Sequence, residues 1–225
     1  MSSKNLNNIR IVAFDFDGVI FSGESTAVEI GERFGLGKQI RETLFELLIW
    51  NITLKDAILK GGAVWKGIKT TDVAKETEKL NLRPGAIETV KKLKECSYKV
   101  ALISSGLSQV SYSVIKQRLA LDYAFGNEAE IKEGVFTGRL TSSPVDAKRK
   151  AEILRQVAEK EKVSTASCAV IGNDPNDIPM MLTAGLKIGF NPHPAVARIS
   201  TVVLNNAKDL RDVLPYLTNS KKTTN

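Results

Sequence analysis

The sequence predicts an α/β fold with a doubly wound parallel sheet and a small helical insert after the first strand. From residue 83 onward, short β-branched runs alternate with longer helical patterns, which is typical of βα units around a parallel sheet. Residues 22–81 hold no comparable apolar run and instead repeat apolar residues at helical spacing. We therefore expect a core built from residues 1–21 and 82–225, with residues 22–81 forming a helical cap over it.

The strands and helices of this core follow from the apolar patterns. Strands are predicted where a short run is apolar throughout, as expected for a strand covered on both faces. These runs are 9–14, 99–103, 168–171, 186–190 and 201–204. Helices are predicted at 85–95, 108–119, 146–161, 178–183 and 207–217. In EIKEGVFTGRL, glycines separate short alternating runs, which predicts an added β-hairpin.

Composition restricts the class of protein. At 225 residues and 43% hydrophobic, the chain can bury one good core. It has no apolar run near the ~18 residues of a membrane span and no apolar signal segment at its start, so we expect a cytoplasmic protein without membrane contact. We also expect a monomer or a homodimer.

The formal charge of +7 raises the question of nucleic-acid binding. The basic residues are spread through amphipathic segments such as ETVKKLKE, which is typical of solvated helix faces. We therefore expect no nucleic-acid partner. A net positive field would still attract a small anionic substrate.

Several conspicuous residues are interpreted as structural. Cys96 and Cys168 are isolated in sequence and fit small buried hydrophobes better than a disulfide or metal site. Trp50 and Trp65 are expected in the core of the insert. His193, in an NPHP turn, is expected at the surface, and the tail NSKKTTN is expected to be frayed.

Polar residues follow three of the predicted strands directly, and the carboxyl ends of such strands meet at one edge of an open sheet. The first strand leads into DFDG, the second into SSG and the third into GNDPND, while a lysine opens the preceding helix. The residues concerned are Asp15, Asp17, Ser104, Ser105, Gly106, Lys150, Asn173, Asp174, Asn176 and Asp177. Carboxylates, a hydroxyl, a lysine and backbone amides together form a site for a hard divalent cation and a phosphate.

Each of these clusters also has an ordinary structural interpretation. Paired acids after a strand can cap a turn, and an SSG sequence often leads into a helix. The order of the clusters, each directly after an apolar run, favours a shared site.

Taken together, DFDG, LISSG, the helix lysine and GNDPNDIPM resemble the four motifs of the haloacid dehalogenase superfamily of phosphotransferases. RPGAIETVKKLK, LDYAFGNEAEIKEGVFTGRL and NDIPMMLTAGLKIGFNPHPAV are similar to stretches of the phosphoserine phosphatases within it. The resemblance covers nearly the whole chain. It implies a Rossmann-like core with a small helical cap, and an Mg²⁺-dependent phosphatase acting on a small phosphorylated metabolite.

O-phosphoserine is the leading substrate on this resemblance. A phosphosugar or phosphoglycolate is an alternative with the same chemistry, and a catalytically weak binding or regulatory protein is a further one.

The resemblance also implies a role for each matching residue. Asp15 matches the nucleophile that attacks phosphorus. Asp17 matches the general acid/base, and two residues of separation on a strand point both side chains the same way. Ser104 matches the hydroxyl that binds a phosphoryl oxygen, assisted by Ser105 and Gly106. Lys150 matches the lysine that neutralises nucleophile and phosphate, and is preferred to Lys148 because KAEIL resembles the family's pattern.

The metal site departs from the family's pattern at one position. The resemblance implies Asp15, Asp17, Asn173 and Asp177 as Mg²⁺ ligands, with an amide at 173 where the family has a carboxylate. Either Asn173 binds the metal through its carbonyl oxygen or Asp174 turns inward, and we favour Asn173. One charge fewer predicts a millimolar requirement for Mg²⁺.

The substrate site departs from the pattern in the insert. Glu24 matches the glutamate that contacts the substrate amine, and Asn176 matches a position near the substrate. The arginine that binds the substrate carboxylate has no match, because Gly61 occupies its place. Lys60 or Lys66 would replace it only in part, since a lysine lacks the bidentate geometry of arginine.

Overall fold

The computed structural model describes residues 8–218 and contains two sheets. The strands, in chain order, are β1 (Ile11–Phe14), β2 (Lys99–Ser108), β3 (Tyr123–Asn127), β4 (Ala129–Lys132), β5 (Val135–Leu140), β6 (Cys168–Gly172), β7 (Leu186–Phe190) and β8 (Val202–Leu204). Six of them form one parallel sheet in the order β3-β2-β1-β6-β7-β8. β4 and β5 form a separate antiparallel hairpin.

The helices divide into those of the insert and those of the core. The insert contains α1 (Thr26–Glu32), α2 (Gly37–Leu48), α3 (Leu54–Val64) and α4 (Thr70–Glu78). The core contains α5 (Ala86–Glu95), α6 (Gln109–Arg118), α7 (Ala147–Lys160), α8 (Ile178–Thr183), α9 (Pro194–Ile199) and α10 (Pro215–Thr218). The predicted α/β fold with a doubly wound parallel sheet is confirmed.

The central strand β1 positions the functional end of the sheet. All four of its residues are buried, because the sheet continues on both sides and both faces are covered. Phe14 is in register with Leu102 of β2 and with Ile171 of β6. The chain crosses from β1 to β2 on one side and later returns to β6 on the other, so the strand order reverses at β1. Ligand crevices of open α/β sheets lie at such reversal points, beyond the carboxyl ends of the strands.

Parts of the core differ from the sequence prediction, which also omitted α9 and ended β2 at Ile103 rather than Ser108. The edge strand β3 was not predicted, because its half-buried YAFGN sequence lacks a continuous apolar run. The helix predicted over 207–217 is wrong, because a short 3-10 helix covers Leu210–Val213 and α10 begins only at Pro215. Proline lacks the N–H that a continuous helix needs at that point.

The predicted hairpin is confirmed and contacts the insert. The backbone N–H of Gly67 donates to the carbonyl of Phe136 at 2.9 Å, and the N–H of Phe136 donates to that of Ile68 at 3.0 Å. β4 and β5 therefore extend the insert's inner wall. The assignment of residues 22–81 to a separate cap domain stays a prediction.

The tryptophan, cysteine and histidine residues that were interpreted as structural agree only in part with their predicted burial. Trp65 is buried as predicted, whereas the prediction for Trp50 is wrong: its side chain is 90% exposed at the end of α2. Cys168 is a free, buried thiol and Cys96 is half-buried. His193 is exposed, and its imidazole accepts a hydrogen bond from the N–H of Ala195.

The tail NSKKTTN lies outside the described residues. Within residues 8–218, no helix has both the length and the apolar character that crossing a bilayer requires.

Candidate active site

Asp15 directly follows the central strand and is buried, with 4% of its surface exposed. Its N–H donates to the carbonyl of Ile171 at 2.9 Å, which continues the β1–β6 ladder by one residue. The turn after it needs glycine at position 18, where φ is +82° and a Cβ atom would lie 2.3 Å from Nδ2 of Asn173. The DFDG sequence therefore brings Asp15 next to the residues that follow β6.

Lys150 reaches the same point from the first turns of α7. Its Nζ donates to Oδ1 of Asp15 at 2.8 Å, to Oδ1 of Asn176 at 2.9 Å and to Oδ1 of Asp177 at 2.7 Å. Its side chain is only 1% exposed, whereas Lys148 is exposed. The structure thus brings Lys150 rather than Lys148 to the site.

The close packing of these charged groups shifts the pKa values of Asp15 and Lys150. Burial and repulsion from Asp177 raise the pKa of Asp15 to about 7, although Lys150 opposes the shift. Burial alone would lower the pKa of Lys150, but its contacts with Asp15 and Asp177 raise it above the usual value. Lys150 therefore keeps its positive charge in the buried cluster.

Asp17 faces the first turn of α1. Its Oδ1 accepts a hydrogen bond from the N–H of Thr26 at 2.8 Å and another from the Thr26 hydroxyl. Burial raises the pKa of Asp17, while these two hydrogen bonds act in the opposite direction. Its other oxygen, Oδ2, is directed toward Gly106, where a Cβ atom would lie 3.2 Å from it. Asp17 thus lies between the insert and the end of β2.

The SSG segment at the end of β2 supplies hydroxyl and amide groups. The hydroxyl oxygen of Ser104 accepts hydrogen bonds from the N–H of Gly106 at 3.1 Å and from the hydroxyl of Tyr112 at 3.0 Å. Both of these bonds leave the proton of Ser104 available for donation. The hydroxyl oxygen of Ser105 is buried and has no partner among the described residues.

Asn127, at the end of β3, fixes the SSG segment and was not predicted. Its Nδ2 donates to the carbonyls of Ser105 and Gly106, both at 2.8 Å, and its Oδ1 accepts from the N–H of Val145 at 2.8 Å. Asn127 thereby ties the segment to the residues that lead into α7. An asparagine that ends a strand was the available signal, but the strand itself was missed.

Arg83 fixes the turn after Asp15 and was also not predicted. Its guanidinium donates to the carbonyls of Val19 at 2.6 Å and Gly18 at 2.8 Å, and lies 4.8 Å from the ring centre of Phe190. Burial lowers its pKa. The residue stands in RPG before α5, where the sequence indicates only the start of a helix.

The two acids of the loop after β6 differ in their surroundings: Asp177 is buried, and Asp174 is exposed. Oδ2 of Asp177 accepts from the N–H groups of Asn173 at 3.0 Å and Asp174 at 3.1 Å, so both oxygens of Asp177 are engaged within the protein. Asp174 is exposed, and its carboxylate accepts from the N–H of Asn176 at the start of a 3-10 helix. By contrast, Oδ1 of Asn173 is buried without a partner in the described part of the chain.

The oxygen atoms of this site could bind a hard cation only if a side-chain amide oxygen is one of the ligands. Over residues 8–218, no three Asp, Glu, His or Cys residues are grouped so as to hold a metal. Asp15 and Asp17 contribute carboxylates, and the unpartnered oxygen of Asn173 supplies a further oxygen donor of the kind that Mg²⁺ accepts. The set therefore fits Mg²⁺ through Asp15, Asp17 and Asn173.

The sequence-predicted residues border one cavity of about 410 Å³. Those that line it are Asp15, Asp17, Glu24, Ser104, Ser105, Gly106, Lys150, Asn173, Asp174 and Asn176. Asp177 lies behind Lys150. The volume lies in the range typical of small-molecule sites, about 300–1,000 Å³.

The insert closes the other side of the cavity. Glu24 lies at its edge and accepts from Nε of Arg41 at 3.0 and 3.1 Å. Gly61 lines the cavity, and a Cβ atom there would meet nothing within 4 Å. Lys60 donates to Glu46 at 2.6 Å, and neither Lys60 nor Lys66 lines this cavity.

A parallel α/β core with buried carboxylates and a lysine at the carboxyl ends of its strands is the arrangement of a phosphoryl-processing hydrolase. The chain belongs to the haloacid dehalogenase-like hydrolase family, whose model matches residues 12–182. The resemblance found from the motifs is thereby confirmed.

Named relatives and solved structures agree with this family. The chain is 30% identical over 208 residues to a phosphoserine phosphatase of Methanocaldococcus jannaschii, covering 92% of this chain and 97% of that one. It is 35% identical over 182 residues to a phosphoserine phosphatase of Archaeoglobus fulgidus, of which it spans 52%. A solved phospho-aspartyl intermediate analogue of phosphoserine phosphatase matches with a TM-score of 0.81 at 30% identity, over 93% of this chain and 99% of that one.

Proposed function

We propose that the chain is an Mg²⁺-dependent phosphomonoesterase that works through an aspartyl-phosphate on Asp15. The observation that carries the proposal is the buried contact of Lys150 with Asp15, Asn176 and Asp177 beside a second acid, Asp17. A lysine held there places a fixed positive charge beside the attacking carboxylate and the transferring group. The phosphatase names of the relatives support the same chemistry.

The first half of the reaction forms the covalent intermediate. Oδ1 of Asp15 is held by Lys150, so the other carboxylate oxygen attacks phosphorus. The new O–P bond forms as the P–O bond to the leaving group breaks, and Asp17 donates its proton to the leaving oxygen.

The second half removes the phosphoryl group. Asp17, now ionised, accepts a proton from a water molecule, whose oxygen bonds to phosphorus. The bond to Asp15 breaks, which releases inorganic phosphate and restores the carboxylate of Asp15 and the protonated acid of Asp17. An acid that performs both proton transfers accounts for the presence of Asp17 two residues after the nucleophile.

Groups at the ends of β2 and β6 stabilise the transferring phosphoryl group. Ser104 and Ser105 offer hydroxyl donors, Gly106 lies beside them, and Lys150 offsets the developing negative charge. Asp15, Asp17 and Asn173 would hold Mg²⁺, which would supply positive charge that stabilises the transferring phosphoryl group. The assignment of Asp177 as a ligand stays a prediction, since its oxygens bind Lys150 and backbone amides.

O-phosphoserine is the leading substrate because the relatives are named phosphoserine phosphatases. Glu24 lines the cavity, and we expect its carboxylate to contact a substrate amine. A phosphosugar or phosphoglycolate and a regulatory role stay alternatives. The cytoplasmic location and the monomer or homodimer state stay predictions.

The covalent intermediate is the test of this proposal. The protein is mixed with ³²P-labelled O-phosphoserine and Mg²⁺, quenched in acid within milliseconds, and digested for mass spectrometry. We expect label on the peptide that carries Asp15, and none with Asp15→Asn. Asp212→Asn, an exposed aspartate far along the chain, is the matched control and keeps the label. Turnover without any labelled Asp15 would overturn the proposal.

A further inference from the structure

We infer that this cavity also takes phosphomonoesters whose leaving group is an unbranched apolar chain, an inference that rests on the proposed phosphatase chemistry. The wall that faces the leaving group is apolar. It is formed by Leu44 and Leu47 of α2, Leu54 and Ile58 of α3, and Phe136 and Leu140 of β5. A leaving group that packs against this wall replaces its contacts with water by contacts with apolar side chains.

The wall keeps part of its apolar surface uncovered. Leu44 is 37% exposed, and Leu47, Leu54 and Ile58 are half-buried although they line a cavity. Apolar surface of this kind lowers the free energy when a ligand removes it from water. An alkyl chain leaving from the phosphoryl group would cover the α2 and α3 side chains together, because one cavity joins them to Asp15.

The same wall has no cationic side chain that could pair with a carboxylate on the leaving group. Lys150 is the only cation that lines the cavity in the described part of the chain, and three side-chain oxygens already surround its ammonium group. The guanidinium of Arg41 contacts both Glu24 and Glu32. A carboxylate on the leaving group would lose water without a cation to replace it, and a buried unpaired charge is costly. An apolar chain has no such penalty.

Gly61 widens the site at the point where α3 faces the cavity. Its position lines the cavity, and no atom lies within 4 Å of where its Cβ would be. The next residue, Gly62, likewise lines the cavity and would place a Cβ 3.6 Å from Leu140. The two adjacent glycines therefore leave α3 without side chains at two positions that line the cavity.

A homologous series of alkyl phosphates tests the inference. From ethyl to pentyl phosphate the acidity of the leaving alcohol barely changes, so differences in kcat/KM report contact with the wall rather than bond cleavage. We expect kcat/KM to rise about fourfold per added methylene until the chain fills the cavity.

Paired variants on α2 locate the effect. Leu44→Asn removes part of the wall and should flatten the increase along the series. Leu48→Asn makes the same change one turn further on, at a side chain that is 73% exposed and lies outside the cavity, and should keep the wild-type increase.

The outcomes distinguish this inference from the proposed function. Hydrolysis that is constant or falls with chain length, while Asp15 is still labelled, overturns the apolar specificity alone. An equal flattening in both variants overturns the assignment of the wall. If no phosphomonoester is hydrolysed and no label reaches Asp15, both the inference and the proposed function are overturned.

Discussion

The Nζ atom of Lys150 lies 2.8 Å from Oδ1 of Asp15, although 135 residues separate them in the chain. Their side chains are 1% and 6% exposed, so the contact is fully desolvated. A buried ion pair is weak evidence for stability, because desolvation offsets much of the attraction. Its position at the ends of β1 and at the start of α7 therefore argues for a functional cause.

Replacing the lysine should remove activity and stability together. Lys150→Met keeps the length of the side chain and leaves the Asp15 and Asp177 carboxylates buried without their cation. We expect kcat/KM to fall by about 10²–10³ and the free energy of unfolding to fall by about 3–5 kcal/mol. Phosphate release and urea denaturation measure the two effects.

Lys148→Met is the matched control on the same helix, since Lys148 is exposed. It should leave kcat/KM at the wild-type value and change the free energy of unfolding by no more than about 0.5 kcal/mol. Similar losses in both variants would show that the loss of any lysine from α7, rather than the buried contact, is responsible.

The residues that perform chemistry were predictable because each directly follows an apolar run. Asp15 and Asn173 directly follow β1 and β6, and Ser104 follows Ile103, where the register of β2 with β3 shifts. Parallel strands end at one edge of the sheet. The motif match located Lys150 as well. The sequence favoured Asn173 but did not exclude Asp174, since the choice depends on which side chain is buried.

The residues that hold the site in place could not be predicted in this way. Arg83 and Asn127 donate to backbone carbonyls of residues 18–19 and 105–106, contacts that no local pattern records. The prediction for Trp50 failed for a related reason: apolar spacing indicates a helix face but not whether anything packs against it.

We expect Asn173 to set the Mg²⁺ requirement. Asn173→Asp restores a carboxylate at the position of the unpartnered buried oxygen, and each added charge strengthens binding of a hard cation. We expect the half-saturating Mg²⁺ concentration to fall about tenfold or more. Isothermal titration calorimetry with Mg²⁺ checks this without substrate, and Asp174→Asn should leave the value unchanged. Unchanged affinity in Asn173→Asp would exclude Asn173 as a ligand.

A side chain introduced at position 61 would face the leaving group, so its charge should affect which leaving groups bind. Gly61→Arg would add a guanidinium next to the cavity, where space for a side chain exists. Because a fixed cation pairs with a carboxylate, we expect kcat/KM for O-phosphoserine to rise about tenfold. Gly61→Gln, of similar length but uncharged, should show no rise. Both variants should be stabilised by up to about 1 kcal/mol, since glycine disfavours a helix interior. Equal rates in the two variants would contradict a role for charge.

Arg83 positions the turn that carries Asp17. Arg83→Gln loses two hydrogen bonds from a charged group to the carbonyls of Gly18 and Val19, each worth about 1.5–3 kcal/mol. We expect the free energy of unfolding to fall by about 3–6 kcal/mol, and kcat to fall more than KM rises. Arg198→Gln, at an exposed arginine of α9, is the control. A variant with lower stability but wild-type kcat would show that Arg83 supports the fold and not the turn.

The Cys168 thiol should report the stability of the sheet. It lies in β6 with 0% exposure, and burial raises its pKa from 9.0 to about 11. Between these two values the folded protein keeps a proton that the unfolded chain has released, so stability falls as pH rises, by up to about 1.4 kcal/mol per pH unit. In a Cys96→Ser background we expect iodoacetamide at pH 8.5 to modify Cys168 only after unfolding in urea. Rapid modification of the folded protein would mean that β6 opens locally.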